Sequence, residues 1–368
     1  MDCDGDLEGR LRALHREIRQ WPGMERLDRI AVAVYDPKDD VVRTFVQSNV
    51  GPRPLERTTG RLADHQALQS LAATGVAWID NAMPGQAQGT AASPGHVLAQ
   101  QGFRSRYAVR IHRQGRLHGF IFFNSRRPGF FTEAIRAALV PYRRLIDTLV
   151  VSELTSLRAM LAAVNTARQV SHYRDEETGA HLDRVSHYAR LIAQGMAARH
   201  GLTDEYVEYV HHYAPLHDLG KVAIPDSILL KPGRLTPDEI AVMRTHVQHG
   251  IDIVDAMIRD HGLSSLPHIA VLRNVVAYHH EAADGAGYPH GLRGDAIPLE
   301  GRIVAVADVF DALTSRRPYK EPWTFEAAAA LLTEQAGRQF DPECVAAFLE
   351  NPASIAEVQR RFGDTGPD

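Results

Sequence analysis

Cysteine is nearly absent from this sequence. Cys3 and Cys344 are the two cysteines in 368 residues. That is too few for a disulfide framework, and they stand too far apart for a zinc ribbon. A reducing compartment is the natural setting. There is no run of about 18 or more apolar residues, so no membrane span is expected. The opening Met1-Asp2-Cys3-Asp4-Gly5-Asp6 is acidic and lacks the apolar stretch of a secretory signal. A cytoplasmic protein is therefore expected. Charge of one sign is not in excess either. Lys plus Arg is 41 against 45 Asp plus Glu, a formal net charge of -4. That leaves no basic surplus to hold a nucleic-acid backbone by counterion release, so neither DNA nor RNA is expected as a partner. With 44% hydrophobic and 23% charged residues, the composition excludes disorder, collagen and low-complexity architectures.

At roughly 100–200 residues per domain the length suggests about two domains. In the first part, residues 29–35 and 41–47 alternate like strands around the turn residues Asp36-Pro37-Lys38-Asp39-Asp40. Residues 105–112 and 117–124 flank a second hairpin turn at 113–116. Helical segments at 7–20 and 62–74, a short strand at 76–79 and a loop at 84–94 complete an α+β domain with an antiparallel sheet. From Thr132 the period changes. Leu139, Tyr142, Ile146, Val150, Leu154, Leu157, Leu161 and Val164 form an amphipathic stripe. It fits a two-chain coiled coil, and hence a homodimer, or a helix packed on one domain. Pro141 is expected to kink or break this helix unless it opens a new one. After Ser171 the segments 181–200, 203–217, 236–259, 267–281, 298–315 and 324–336 all carry helical spacing, which predicts an all-α domain. The expected division is 1–131 sheet domain, 132–170 linker helix, 171–350 helical domain and 351–368 tail.

What the sequence has in abundance is histidine. Fourteen of 19 lie between His172 and His290. Five clusters stand out. Glu177 and His181 are four apart and share a helix face, where they form a surface pair or converge on one ion. His217-Asp218 precedes Gly220 and Lys221; the pair is either a cap beside a solvated lysine or two ligands turned inward at a helix end. A cation at Lys221 can grip a phosphate or protonate a leaving oxygen. His246 and His249 share one segment, and spacing does not choose between them. His279-His280-Glu281 ends a helix before the glycine-rich Asp284-Gly285-Ala286-Gly287-Tyr288-Pro289, where backbone can approach a ligand closely. Asp308 sits in the apolar run Ile303–Leu313, where a buried carboxylate needs a cation or hydrogen bonds. Gathered in one fold, these imidazoles and carboxylates suit iron, manganese or zinc. A shared carboxylate would hold two metals roughly 3.5–4 Å apart, the arrangement for in-line displacement at phosphorus.

Residues 177–342 resemble an HD-GYP domain, a subgroup of the HD metal-dependent phosphohydrolases. The resemblance rests on HDLGKVAIPDSILLKPGRLTPDE from His217, on Gly287-Tyr288-Pro289, and on ADVFDALTSRRPYK from Ala307, in that order. It implies a phosphodiesterase opening cyclic di-GMP to linear pGpG, with GMP as a further product, by attack of a metal-activated hydroxide on phosphorus. By position it implies His181, His217, Asp218 and Asp308 as the basic metal set. His246, His279 and His280 match ligands of further metals, and Glu177 matches the glutamate of trinuclear members. Two or three divalent ions, iron or manganese, are thus expected. Lys221, Arg317 and Lys320 match phosphate contacts, and Gly287 and Tyr288 line the substrate groove. Two departures stand out: Ala282-Ala283, where larger residues are common, and Tyr213-Ala214-Pro215 ahead of the His-Asp pair. Residues 102–131 more loosely resemble the strand pair of a GAF domain, which implies a sensory or dimerising module. Alternative readings are a low-turnover cyclic di-GMP receptor that signals to a partner, or a hydrolase of another cyclic dinucleotide.

Overall fold

The computed structural model describes residues 6–51, 55, 58–83, 94–171, 179–260, 268–315 and 321–363, with backbone alone for 158–171. The chain divides into two compact units, Met1–Ala159 and Met160–Asp368.

The first unit is the expected α+β domain. Its elements are α1 (Leu7–Ile18), β1 (Arg29–Asp36), β2 (Val41–Asn49), β3 (Thr59–Arg61), α2 (Gln66–Thr74), β4 (Trp78–Asp80), α3 (Pro94–Gln100), β5 (Ser105–Arg113) and β6 (Arg116–Ser125). The strands form one antiparallel sheet in the order β3-β2-β1-β6-β5-β4. Both predicted hairpins are present. In the second, Gln114 and Gly115 both take positive φ, 49° and 75°, which matches the turn to the strand twist. The loop expected at 84–94 lies, except for Pro94, outside the described residues.

Strand alternation gives the sheet two different faces. Ile30, Val32, Val34, Tyr107, Val109 and Phe123 point to one side and are buried with Leu7, Leu11, Leu14 and Ile18 of α1. The same core takes Leu139, Ile146, Val150 and Leu154 of α4 (Glu133–Ser171). Through Leu154, then, the linker stripe is spent on the chain's own sheet. Pro141 does not break α4, contrary to one expectation. Pro141 and Ala137, whose carbonyl loses its partner, are both exposed, so water can take the place of the missing bond.

The second unit is helical, and no strand occurs among its described residues. Its helices are α5 (Gly179–His200), α6 (Asp204–Tyr213), α7 (Asp226–Leu229), α8 (Pro237–Arg244), α9 (His246–Asp260), α10 (Ile269–Tyr278), α11 (Leu299–Thr314), α12 (Phe325–Glu334), α13 (Pro342–Leu349) and α14 (Pro352–Arg361). Two expectations are corrected. Segment 236–259 is two helices, because the chain turns at Thr245, whose hydroxyl donates to the Val242 carbonyl at 2.7 Å. Residues 352–361 are no tail: α14 buries Ile355 completely, and the adjoining Phe362 carbonyl accepts from Arg184 Nη1 at 2.7 Å.

Candidate metal centre

Four helices and a pair of 3-10 turns in the second unit bring the predicted residues together. His181 is the third residue of α5. His217 and Asp218 lie between two tight 3-10 turns, Ala214–Leu216 and Leu219–Ala223. The break lets two adjacent side chains serve one site, which a continuous helix would not allow. His246 opens α9, His279 caps the end of α10, His280 follows it, and Asp308 projects from the middle of α11. Close approach at the centre depends on Gly220. A Cβ there would lie 1.8 Å from the His246 carbonyl oxygen and 2.4 Å from Gly250 N.

Two clusters result: His181, His217 and Asp308, and Asp218, His246, His279 and His280. Asp308 Oδ1 lies 3.7 Å from both His181 Nε2 and His217 Nε2. Asp218 reaches both clusters. Its Oδ2 is 3.2 Å from His217 Nε2, while its Oδ1 is 3.1 Å from His246 Nε2 and 3.5 Å from His279 Nε2. Lys221 Nζ stands 2.8 Å from Asp218 Oδ2. The choice between His246 and His249 is thereby made by geometry: only His246 joins a cluster.

The far side of each ring fixes what the near side offers. His217 Nδ1 faces the Ala214 carbonyl at 2.9 Å, His246 Nδ1 the Met243 carbonyl at 2.8 Å, and His279 Nδ1 the Val276 carbonyl at 3.0 Å. A carbonyl only accepts, so each Nδ1 carries the proton and each Nε2 presents a lone pair. His181 Nδ1 pairs with Asp311 Oδ2 at 2.7 Å. Asp311 is in turn gripped by Arg184, Nε to Oδ1 at 2.6 Å and Nη2 to Oδ2 at 3.0 Å, and by the Ser315 hydroxyl at 3.0 Å.

Electrostatics agree. Burial pushes the Asp218 carboxyl upward, but its neighbours, the Lys221 ammonium foremost, outweigh it and hold it well below the usual carboxylate range. Burial keeps His279 and His280 below the ordinary histidine value, so both are neutral imidazoles at neutral pH. Asp218 Oδ1, His246 Nε2 and His279 Nε2 are buried and make no well-formed hydrogen bond among the described residues. Lone pairs and a carboxylate converging on one point without a proton between them is the donor set a borderline divalent cation takes. The residues present fit such ions.

The glycine-rich loop builds the rim. Gly287 has no room for a side chain: a Cβ would sit 2.3 Å from Ala282 N and 2.5 Å from the His280 carbonyl. Tyr288 stacks on His280 at 4.6 Å and 22°, and the Arg244 guanidinium covers the Tyr288 ring at 4.7 Å. Burial pushes the Tyr288 phenol up to about 12, so it stays protonated. Glu281, beside the histidine pair, belongs to neither cluster. Its carboxylate accepts from His290 N at 2.7 Å and Leu292 N at 2.9 Å and clamps the loop. Glu177, Arg317 and Lys320 lie outside the described residues. Sequence reasoning missed Asp311, Arg184 and Arg244.

A helical domain that gathers His, His-Asp and Asp into adjoining clusters is the arrangement of the HD class of metal-dependent phosphohydrolases. The chain belongs to the HD domain family, whose model matches residues 159–344. Three curated relatives extend the comparison. One is the cyclic di-GMP phosphodiesterase response regulator RpfG of Xanthomonas campestris, 50% identical over 190 residues, which are 52% of this chain and 47% of RpfG. Another is the 3'3'-cGAMP-specific phosphodiesterase 2 of Vibrio cholerae, 45% identical over 191 residues, 52% of this chain and 34% of that one. The cyclic di-GMP phosphodiesterase PA4108 of Pseudomonas aeruginosa is 33% identical over 327 residues, 83% of this chain and 73% of that protein. The chain thus spans about half the length of RpfG or less, and most of PA4108.

Proposed function

We propose that this chain is a metal-dependent phosphodiesterase that opens cyclic di-GMP to linear pGpG. The carrying observation is Asp218, whose two oxygens face two separate imidazole clusters. Iron or manganese suits this His-carboxylate set, and the bound ions would supply Lewis acidity and activate water for attack on phosphorus. His181, His217 and Asp308 hold one cation, and His246, His279 and His280 another. Glu177 is the candidate ligand for a third. Lys221, released from Asp218, neutralises a phosphoryl oxygen. Tyr288, braced between His280 and Arg244, forms a wall for a base, while Gly287 keeps the backbone close. Arg317 and Lys320 take the remaining phosphate charge, the arginine through its two-pronged edge. Hydrolysis onward to GMP and control by the GAF-like domain belong to the same reading.

The test is anaerobic purification, a count of metals per chain, and incubation with cyclic di-GMP. Asp218→Asn is expected to lose metal and to lower turnover by more than about a hundredfold, since loss of a supporting residue alone costs 10–100-fold. His249→Ala is expected to change neither. Full activity in metal-reconstituted Asp218→Asn would overturn the reading, and loaded protein that binds the dinucleotide intact would make it a receptor. The similarity to the cGAMP-specific Vibrio protein favours a second substrate reading, and 3'3'-cGAMP in the same assay decides it.

A further inference from the structure

The sheet face opposite α1 and α4 holds a cavity of about 350 Å3, a size suited to a small molecule. It arises from residue size. On central strand β1 the packed face carries Ile30, Val32 and Val34, while the other face carries Ala31 and Ala33. The alanines leave a hollow floor. Trp78, Phe122, Leu68 and Leu98 wall it.

One end of the cavity is polar. Across four neighbouring strands the register aligns Arg29, Asn124, Arg106 and Asp80 in one row. Arg29 donates from Nη1 to Asn124 Oδ1 at 3.0 Å and from Nη2 to Gln47 Oε1 at 3.2 Å. Arg106 lines the cavity at 8% exposure. Its Nε and Nη2 are buried and have no hydrogen-bond partner among the described residues, and the same holds for Asn124 Nδ2. Trp78 lies under the guanidinium at 4.9 Å, a weak substitute for an anion. Asp80 attracts Arg106, yet burial prevails and pulls the guanidinium down to about 10. A buried guanidinium without an anion is unfavourable.

The two unpartnered nitrogens are adjacent on one edge of the fork, the edge whose parallel N–H bonds match a carboxylate's two oxygens. Arg184 uses this same Nε/Nη2 edge to hold Asp311 at 2.6 and 3.0 Å. A phosphate would bring further oxygens, with the Asp64 carboxylate also lining the cavity.

We propose that this cavity is a binding site for a small organic carboxylate. The carboxylate sits on the Nε/Nη2 edge of Arg106 with Asn124 Nδ2 beside it. The apolar body lies over Ala31 and Ala33, against Trp78 and Phe122. Such a site would make the N-terminal domain a receptor for a metabolite acid, independent of the metal clusters.

The full chain should be titrated with phenylacetate and indole-3-acetate, with the matching amides and with phenyl phosphate, by calorimetry and thermal unfolding. The acids are expected to bind at millimolar concentration or better, and the amides at least about tenfold more weakly, since they lose a charge-assisted pair. Arg106→Met is expected to lose acid binding by at least about tenfold while the unliganded protein unfolds no earlier, because a buried unpaired charge has been removed. Should Arg106→Met fail to fold, Ala31→Leu fills the floor and is expected to abolish acid binding with the guanidinium in place. Failure of both acids to bind overturns the proposal, as does equal binding of acids and amides. Tighter binding of phenyl phosphate, or undiminished binding to Arg106→Met, overturns it as well.

Discussion

Asp311 shows how much a residue outside the two clusters can decide. It lies fully buried between His181 and Arg184, so it sets the proton on the ring and the ring's orientation together. Asp311→Asn should weaken metal binding about 10–100-fold, as for other residues that orient a ligand. It should also destabilise the fold by about 3 kcal/mol, because Arg184 is left buried without its anion. Metal titration beside denaturant unfolding checks both; unchanged affinity would make Asp311 purely structural. His15, in the other unit, gives a pH signature. It is 3% exposed, Nε2 donates to the Leu27 carbonyl at 2.9 Å, and Nδ1 accepts from the Ser48 hydroxyl at 2.8 Å. Burial lowers its affinity for a proton. Below the ordinary histidine value of 6.5 the unfolded chain therefore takes a proton that the folded chain refuses. Stability should fall as pH drops through that value, by up to about 1.4 kcal/mol per pH unit. Unfolding free energies of wild type and His15→Gln, compared between about pH 7 and 5, should show a shallower slope in the variant. The residues of the two clusters were legible because their motifs are long and ordered. Asp311 and Arg184 were not, although each stands three residues beyond a member of one cluster, Asp308 and His181, on facing helices. Arg106 was hidden for the opposite reason: an arginine in a strand reads as solvated until the neighbouring strands cover it.

Elements were legible where their signals are local. Turn residues placed both hairpins, and apolar periodicity placed α4 and the helical domain. What periodicity did not reveal was the end of α8 at Thr245, since 236–259 keeps its apolar spacing through the turn. Nor did it reveal α14, whose two buried residues, Ile355 and Val358, are too few to stand out. These elements differ in what they risk. Thr236 caps α8 in a reciprocal capping box with Glu239, so Thr236→Ala should cost about 1 kcal/mol and leave metal binding intact. Gly220→Ala should cost more than about 3 kcal/mol and reduce metal content as well, because the added methyl meets backbone of α9 and not a movable side chain. Urea unfolding paired with elemental analysis separates the two outcomes; retained metal in Gly220→Ala would show that α9 can shift without opening the site.

At the scale of the molecule, the histidine–carboxylate clusters and the arginine-lined cavity lie in two different compact units. Calorimetry should resolve two transitions, with saturating metal raising only the one that belongs to the helical unit. At a hundredfold excess over the dissociation constant the gain is about 2.7 kcal/mol. A single transition that moves as a whole would mean that the units unfold as one. The ion pair between Lys221 and Asp218 adds a last point. The oxygen of Asp218 that holds the ammonium is the one that faces His217. The charge proposed to meet a substrate phosphate is thus tied to the residue that reaches both clusters. Replacing Asp218 therefore removes an anchor for Lys221 together with a candidate ligand, and Lys221→Ala is the variant that tells the two losses apart.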